Sequence, residues 1–367
     1  MRRIIFVLKI TSILFFLTCN TTTHHQQIFG DSTTKNELIS TPLEEQGRKL
    51  FTIAFYNVEN LFDTIDSPDT DDSEFLPTSE KQWNTMRYKD KLAKISQVIS
   101  KIGDDDGAEI IGLCEIENRR VLEDLVKQPL LQKSHYAIVH YESPDKRGID
   151  VALLYKEKEF TLVNSRKISI DDFNPNDNEE PRTRDILEVR LAKKNDSLTF
   201  YVVHLPSRKE GKEKSEFRRI AVASQLRKEI ENLLLQNLSY KFIVMGDFND
   251  EPTDKSIIQV LKADDSQIDQ DRKLFNPMYL LKQAGKGTYF HQGKWELIDN
   301  ILISDGILFS QKGFQYVNNS ADIYAPEHLK QQKPEKFKGA PHRTFAGNRY
   351  LGGYSDHFGV YIYLKFK

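Results

Sequence analysis

The sequence predicts an α/β sandwich: two packed mixed β-sheets with helices outside and a polar site at one edge. Three observations predict it. Strand-like apolar runs outnumber helix-like ones, and the two alternate from Lys49 onward without a linker. Neighbouring runs such as Ile186–Leu191 and Leu198–Val203 lie close enough to pair as a hairpin. Polar clusters repeatedly close or interrupt an apolar run. A doubly wound parallel sheet is the alternative, and the hairpin-like pairs argue against it.

The elements follow in order. Phe51–Val58 and Ile110–Cys114 read as buried strands. Between them Tyr88, Leu92, Ile95, Ile99 and Ile102 recur at helical spacing and mark one helix face. Tyr136–Tyr141, Val151–Tyr155, Ile186–Leu191 and Leu198–Val203 are strand candidates rich in β-branched and aromatic residues. Phe217, Ile220, Ala221, Leu226, Ile230, Leu233 and Leu234 outline a long amphipathic helix. Lys241–Met245, Leu297–Ile303 and Val360–Phe366 complete the strands. The stretch Ser304–Tyr354 is too long for an ordinary connection, and such loops are usually functional or disordered.

Residues 1–19 differ in character. Arg2 and Arg3 precede a short apolar run ending near Leu17, the pattern of an export signal rather than a membrane span. Cys19 stands where a bacterial lipoprotein carries its lipidated cysteine, and Phe16-Leu17-Thr18-Cys19 resembles a lipobox, with Thr18 departing from it. Secretion, periplasmic release or lipid anchoring at the envelope would each fit. Residues 20–47 are polar and aperiodic, a tether, leaving 48–367 as the folded domain. The net charge of −2 excludes any global attraction to nucleic acid, so affinity for phosphate must be local. Two cysteines, Cys19 and Cys114, make no disulfide framework.

The chemistry-bearing residues sit at strand ends. Asp247 and Asn249 follow Lys241–Met245; two apart in an extended chain, they would face one ligand together, or else simply close the strand as a turn. Ser355-Asp356-His357 precedes the last strand and offers an imidazole titrating near neutrality beside a carboxylate, or an ordinary surface histidine. Asp299 interrupts an apolar run; burying it unpaired would cost several kcal/mol, so His357 is its expected partner unless that strand face is exposed. His204 ends one strand, and Glu115 and Asn57 end two others. A carboxylate at a buried strand end suits a hard cation such as Mg²⁺.

Six motifs carry a resemblance: Asn57-Val58-Glu59-Asn60-Leu61-Phe62, Leu113-Cys114-Glu115-Ile116-Glu117-Asn118, Val203-His204-Leu205, Gly246-Asp247-Phe248-Asn249, Ile298-Asp299 and Ser355-Asp356-His357. In order and spacing they resemble the endonuclease/exonuclease/phosphatase superfamily, which includes DNase I-like nucleases, abasic-site nucleases, inositol phosphatases and bacterial sphingomyelinases. The resemblance spans Phe51–Phe366 and implies a DNase I-like four-layer α/β sandwich with the site between the sheets. It implies Mg²⁺, with Mn²⁺ or Ca²⁺ as substitutes, held by Glu115 with Asn57 and Asp356 nearby. Asp247 and Asn249 would position water and phosphate, Asp299 would orient His357, and His204 would place a second imidazole on the phosphate, as in DNase I-like members. Asp150 is expected to orient His204, and Arg184 to bind phosphate. The reaction would be in-line attack of water on phosphorus.

The expected substrate is nucleic acid, DNA or RNA, bound by a monomer. A phosphatase or phospholipid phosphodiesterase (inositol phosphate or sphingomyelin type) and an inactive binding module are the alternatives. Six basic residues against one acid in 328–349, and six against three in 207–219, would rim the site positively or form a solvated surface. The stretch 58–80 carries eight acids and no base, and reads as a flexible acidic loop or a calcium site. Tyr289–Trp295 is the place to look for a bilayer-docking aromatic hairpin.

Overall fold

A computed structural model describes residues 49–170, 183–209, 211–267 and 273–367. The expected export signal, Cys19 and the expected tether lie outside the described residues. The chain runs through β1 (Leu50–Leu61), α1 (Thr85–Ile99), β2 (Ile110–Ile116), α2 (Arg119–Val126), β3 (Tyr136–His140) and β4 (Asp150–Lys156). There follow β5 (Thr161–Ile168), β6 (Ile186–Lys193), β7 (Asp196–His204), α3 (Lys212–Gln236) and β8 (Phe242–Asp247). Next come β9 (Ala263–Asp264), β10 (Leu274–Phe275), α4 (Met278–Gln283), β11 (Tyr289–His291), β12 (Lys294–Glu296) and β13 (Asp299–Ser304). The last are α5 (Asp305–Leu308), β14 (Phe314–Tyr316), β15 (Asp322–Tyr324), β16 (Phe345–Ala346), β17 (Arg349–Tyr350) and β18 (Gly359–Phe366).

One sheet has the order β14-β18-β1-β2-β4-β3, with β15 also on β18; the other runs β5-β6-β7-β8-β13-β10-β9. Each mixes parallel and antiparallel pairs. The β1–β2 and β7–β8 pairs are parallel and are bridged by α1 and α3, while β6–β7 is the antiparallel hairpin expected from sequence. The doubly wound alternative is therefore excluded.

Period-two alternation explains the layers. Phe51, Ile53 and Phe55 of β1 join Phe200 and Val202 of β7 and Ile243 and Met245 of β8 in the core between the sheets. Their neighbours Ala54, Tyr56 and Val58 face outward against Leu92, Ile95 and Ile99 of α1. On the other side, Tyr201, Val203, Phe242 and Val244 pack on Val222, Leu226 and Ile230 of α3. Helix, sheet, sheet and helix make four layers. Gly246 is needed at its level of β8, because a Cβ there would lie 2.2 Å from the Val203 carbonyl oxygen. Among the described residues no helix is long and apolar enough to cross a membrane.

Three regions depart from expectation. The 304–354 connection is built of short elements: β14 and β15 add to β18, and β16–β17 forms a small hairpin. The start of the acidic stretch is the end of β1, and its acids are engaged. Buried Glu59 accepts backbone N–H bonds from Thr344 (2.6 Å) and Phe345 (3.3 Å), and Asp72 accepts one from Ser67 (2.9 Å). Strand β5 was not anticipated, because its residues are mostly exposed and show no alternation.

Candidate active site

Register across three adjacent strands sets one half of the site. His204 at the end of β7 pairs with Asp247 at the end of β8, and Asp247 pairs with Asp299 at the start of β13. Asp299 thus opens its strand rather than interrupting it. The other sheet supplies the facing half. The pairing of β1 with β2 is bulged between Asn57 and Leu61, and that of β2 with β4 between Cys114 and Ile116. Glu59, Asn60 and Glu115 there adopt left-handed φ values of 52°, 54° and 63°. Such conformations cost about 1 kcal/mol or more apiece, and bulges re-aim side chains beside functional sites. The Glu115 carboxylate is held in its new direction by the Asn60 N–H (2.9 Å) and the Asn57 amide (3.3 Å).

The two halves meet at Asp247. Its Oδ2 accepts from Asn57 Nδ2 at 3.0 Å and lies 3.7 Å from His204 Nε2 and 3.8 Å from His357 Nε2. His204 Nε2 is also 3.9 Å from Glu115 Oε1. His357 Nδ1 is 2.8 Å from Asp299 Oδ2, and that oxygen also accepts from the Thr288 hydroxyl. The Tyr289 ring lies 4.9 Å from that of His357. Asn249, at φ 48°, donates its N–H to Asp247 Oδ1 (2.9 Å) and its side-chain amide to the Leu205 carbonyl (3.0 Å). It reaches the site through a local turn, not through the extended chain expected. Of these groups, Glu115, His204, Asp247, Asn249, Tyr289 and His357 border a cavity of about 780 Å³.

Environment separates the two imidazoles. Burial, then the cations Arg184 and Arg147, hold His204 well below the usual histidine value, so it is neutral at pH 7. Burial also works against a charged His357, but the charge and hydrogen bond of Asp299, with Asp247 and Asp356, overcome it and raise that ring well above the usual value. Burial pushes the Asp247 carboxyl up to about 7, with His357 opposing the shift and Asp299 adding to it. One neutral imidazole, one charged imidazole and a carboxylate near neutrality are the ingredients of proton transfer at phosphorus.

The donors suit a hard divalent cation. Two carboxylates, Glu115 and Asp247, converge on one amide nitrogen, and oxygen ligands are what Mg²⁺, Mn²⁺ and Ca²⁺ take. Cys114, His204 and Asp247 come within 4.8 Å of one another, as do Asp247, Asp299 and His357. Burial holds the Cys114 thiol protonated, which disfavours a soft-metal site. Asn57 turns its Oδ1 to the Glu59 N–H (2.9 Å), so it bridges the carboxylates as a donor rather than offering its oxygen. Asp356 borders the same cavity, with one oxygen 3.2 Å from Arg343 Nη2.

Two expectations are corrected. Asp150 does not meet His204: its carboxylate lies 3.0 Å from His140 Nε2 and accepts the Ser143 N–H at 2.9 Å, while His204 Nδ1 is buried without a hydrogen-bond partner. Arg184 is not available to phosphate. Its guanidinium is buried and donates to the His204 and Leu205 carbonyls (3.0 and 2.9 Å) and to Asp145 (3.0 Å). The 207–219 rim is likewise partly neutralised, Arg208 pairing with Glu296 and Lys212 with Asp254. In the Tyr289–Trp295 segment, a bridge to His357 places Tyr289 beside that imidazole.

A two-sheet sandwich with carboxylates and imidazoles gathered at the mouth between its sheets defines a class of phosphate-ester hydrolases. The chain belongs to the endonuclease/exonuclease/phosphatase family, whose model matches residues 52–366. Three solved structures share the fold. The human nocturnin catalytic domain with bound sulfate anion is 17% identical, covers 87% of this chain and 98% of its own, and has a TM-score of 0.52. D. rerio TDP2 complexed with single strand DNA product is 14% identical, covers 86% and 98%, and also scores 0.52. An endonuclease/exonuclease/phosphatase from Bacteroides vulgatus is 16% identical, covers 87% and 100%, and scores 0.52. No curated protein matches the chain in sequence.

Proposed function

We propose that the protein is an exported, divalent-metal-dependent phosphodiesterase that cleaves nucleic acid. The observation that carries this reading is the convergence of Asn57, His204 and His357 on one oxygen of Asp247. Asp247 accepts a proton from the attacking water, and its raised pKa keeps it a competent base near neutrality. Asn249 holds the reacting groups in line. The charged His357, oriented by Asp299 through Nδ1, presents Nε2 to the oxygens on which negative charge builds. His204 contributes a neutral N–H to the same phosphate. Glu115, with Asn57 and Asp356 close by, would hold Mg²⁺ or a similar ion, which supplies charge neutralisation at the phosphate. Export is supported by the basic-then-apolar start of the sequence. A nucleic-acid substrate is supported by the shared fold of a TDP2 that holds a single-strand DNA product.

The test is turnover of plasmid DNA, RNA, sphingomyelin and inositol phosphates by the purified chain, with Mg²⁺ or with EDTA. Cleavage of nucleic acid that EDTA abolishes is expected. Glu115→Gln should raise the Mg²⁺ concentration for half-maximal rate by about 10-fold or more, at least the loss known for outer-shell partners. Turnover of lipid or inositol phosphate alone would retain the chemistry and overturn the substrate. No turnover of any of the four would sink the enzymatic reading.

A further inference from the structure

Beside the main cavity, across the Arg343–Asp356 pair, lies a second cavity of about 310 Å³. Phe290, Lys333, Lys336, Phe337 and Arg349 line it. The segment forming one wall is a closed loop: Gly339 donates its N–H to the Gln331 carbonyl, and Gln331 its own to Ala340. An aromatic chain ties this wall to the main site. Phe337 meets Phe290 edge-on at 6.4 Å, Phe290 meets Trp295 at 5.2 Å, and Trp295 stacks at 6.0 Å on Phe358, the residue after His357.

Half of the basic run has no acidic partner among the described residues. Lys330, Lys338 and Arg343 of the basic run are paired with Glu327, Glu335 and Asp356. Lys333, Lys336 and Arg349 have no ion pair among the described residues, and all three stand around one concavity. Phe337 is 38% exposed among them, with Lys336 Nζ 4.9 Å from its ring centroid, an aromatic face and a cation side by side. A third cavity, about 340 Å³, shares Asn60, Arg147 and Lys209 with the main one, and its acids Glu59, Asp71 and Glu74 are balanced by Lys81, Arg147 and Lys209. A polyanion lying across the site is therefore drawn toward the Phe337 side, where the cations are in excess.

We propose that the second cavity seats the nucleotides next to the scissile phosphate of a single-stranded nucleic acid, with a base on Phe337 and backbone phosphates on Lys333, Lys336 and Arg349. This rests on the nuclease reading above. Cations paired with an exposed aromatic face are how single strands are held without sequence preference. A duplex keeps its bases stacked and offers no ring to Phe337. An inositol polyphosphate would use the cations and leave the aromatic wall without a partner.

Binding of a fluorescent 12-nucleotide oligo(dT) is measured by anisotropy in EDTA across a salt series, alongside turnover of the oligonucleotide and of bis(p-nitrophenyl) phosphate with Mg²⁺. Phe337→Ala should weaken binding by roughly 5- to 100-fold, the loss of one stacked base, with the salt slope retained. Phe337→Trp should restore it. The triple substitution Lys333→Ala/Lys336→Ala/Arg349→Ala should reduce the salt slope by about 2, the value for three single-strand phosphates. Oligonucleotide kcat/KM should fall in step with binding, and by more than that of the small ester. Wild-type binding by Phe337→Ala, an unchanged salt slope in the triple variant, or equal affinity for a duplex each overturn the proposal. So does displacement of the oligonucleotide by inositol hexakisphosphate at lower concentration than by unlabelled oligo(dT). If neither substrate is turned over while the binding results hold, the nuclease reading fails and the single-strand site stands.

Discussion

Replacing Asp247 by Asn is expected to lower kcat by about 10³-fold, within the range for loss of a positioned acid–base group, without unfolding the protein. One Asp247 oxygen faces Asn57, His204 and His357 together, so removing its charge disables the meeting point of both sheets. Stability should move the other way. Burial and the nearby Asp299 charge disfavour ionised Asp247, and Asn keeps the shape while discarding that charge. In EDTA the melting temperature of Asp247→Asn should therefore equal or exceed that of the parent. A variant retaining more than a tenth of parental kcat, or one that loses activity because it melts earlier, would contradict the assignment.

The largest loss of stability is expected away from the chemistry. Arg219 of α3 and Asp250, just past Asn249, are both fully buried, and Arg219 Nε lies 2.7 Å from Asp250 Oδ1. Ser256 donates to the other Asp250 oxygen at 2.7 Å, and Arg219 also donates to Ser215 Oγ (2.8 Å) and the Lys212 carbonyl (2.8 Å). The pair fastens α3 to the loop that carries Asn249. Arg219→Met leaves a buried carboxylate without its counter-charge and should cost about 3–5 kcal/mol in urea unfolding. Adding Asp250→Asn should recover part of that loss, since the stranded charge is gone. A double variant no more stable than the single would show that packing of the guanidinium, not charge pairing, is what matters.

The regular strands were legible because their alternation is simple. β1, β7 and β8 bury both faces and read as unbroken apolar runs, and the spacing from Tyr88 to Ile99 marks α1 directly. The site residues were legible because each polar side chain stands at or near a strand terminus or a strand bulge. Their partners were not. That His140 rather than His204 meets Asp150 depends on the β3–β4 register, in which His140 stands opposite Ala152. The commitment of Arg184 to the carbonyls of β7 leaves no trace in local sequence. Arg219 and Asp250 were hidden for a related reason: their polarity looks like exposed helix and turn until α3 lies on the second sheet. Glu115 carried a signal of placement but none of its bulge, since Glu gives no hint of a left-handed backbone as Gly would.

The division of the site between two sheets has a consequence in time. Asn57 reaches Asp247 across 190 residues of sequence, and the Ser355 hydroxyl reaches the Asn57 carbonyl across 298. β18, which begins two residues after His357, pairs with β1, more than 300 residues earlier in the sequence. A chain emerging from the ribosome therefore carries an incomplete set of reactive groups until β18 has been made and has docked on β1. The last step of folding that joins β18 to β1 is thus also the step that completes the reactive set.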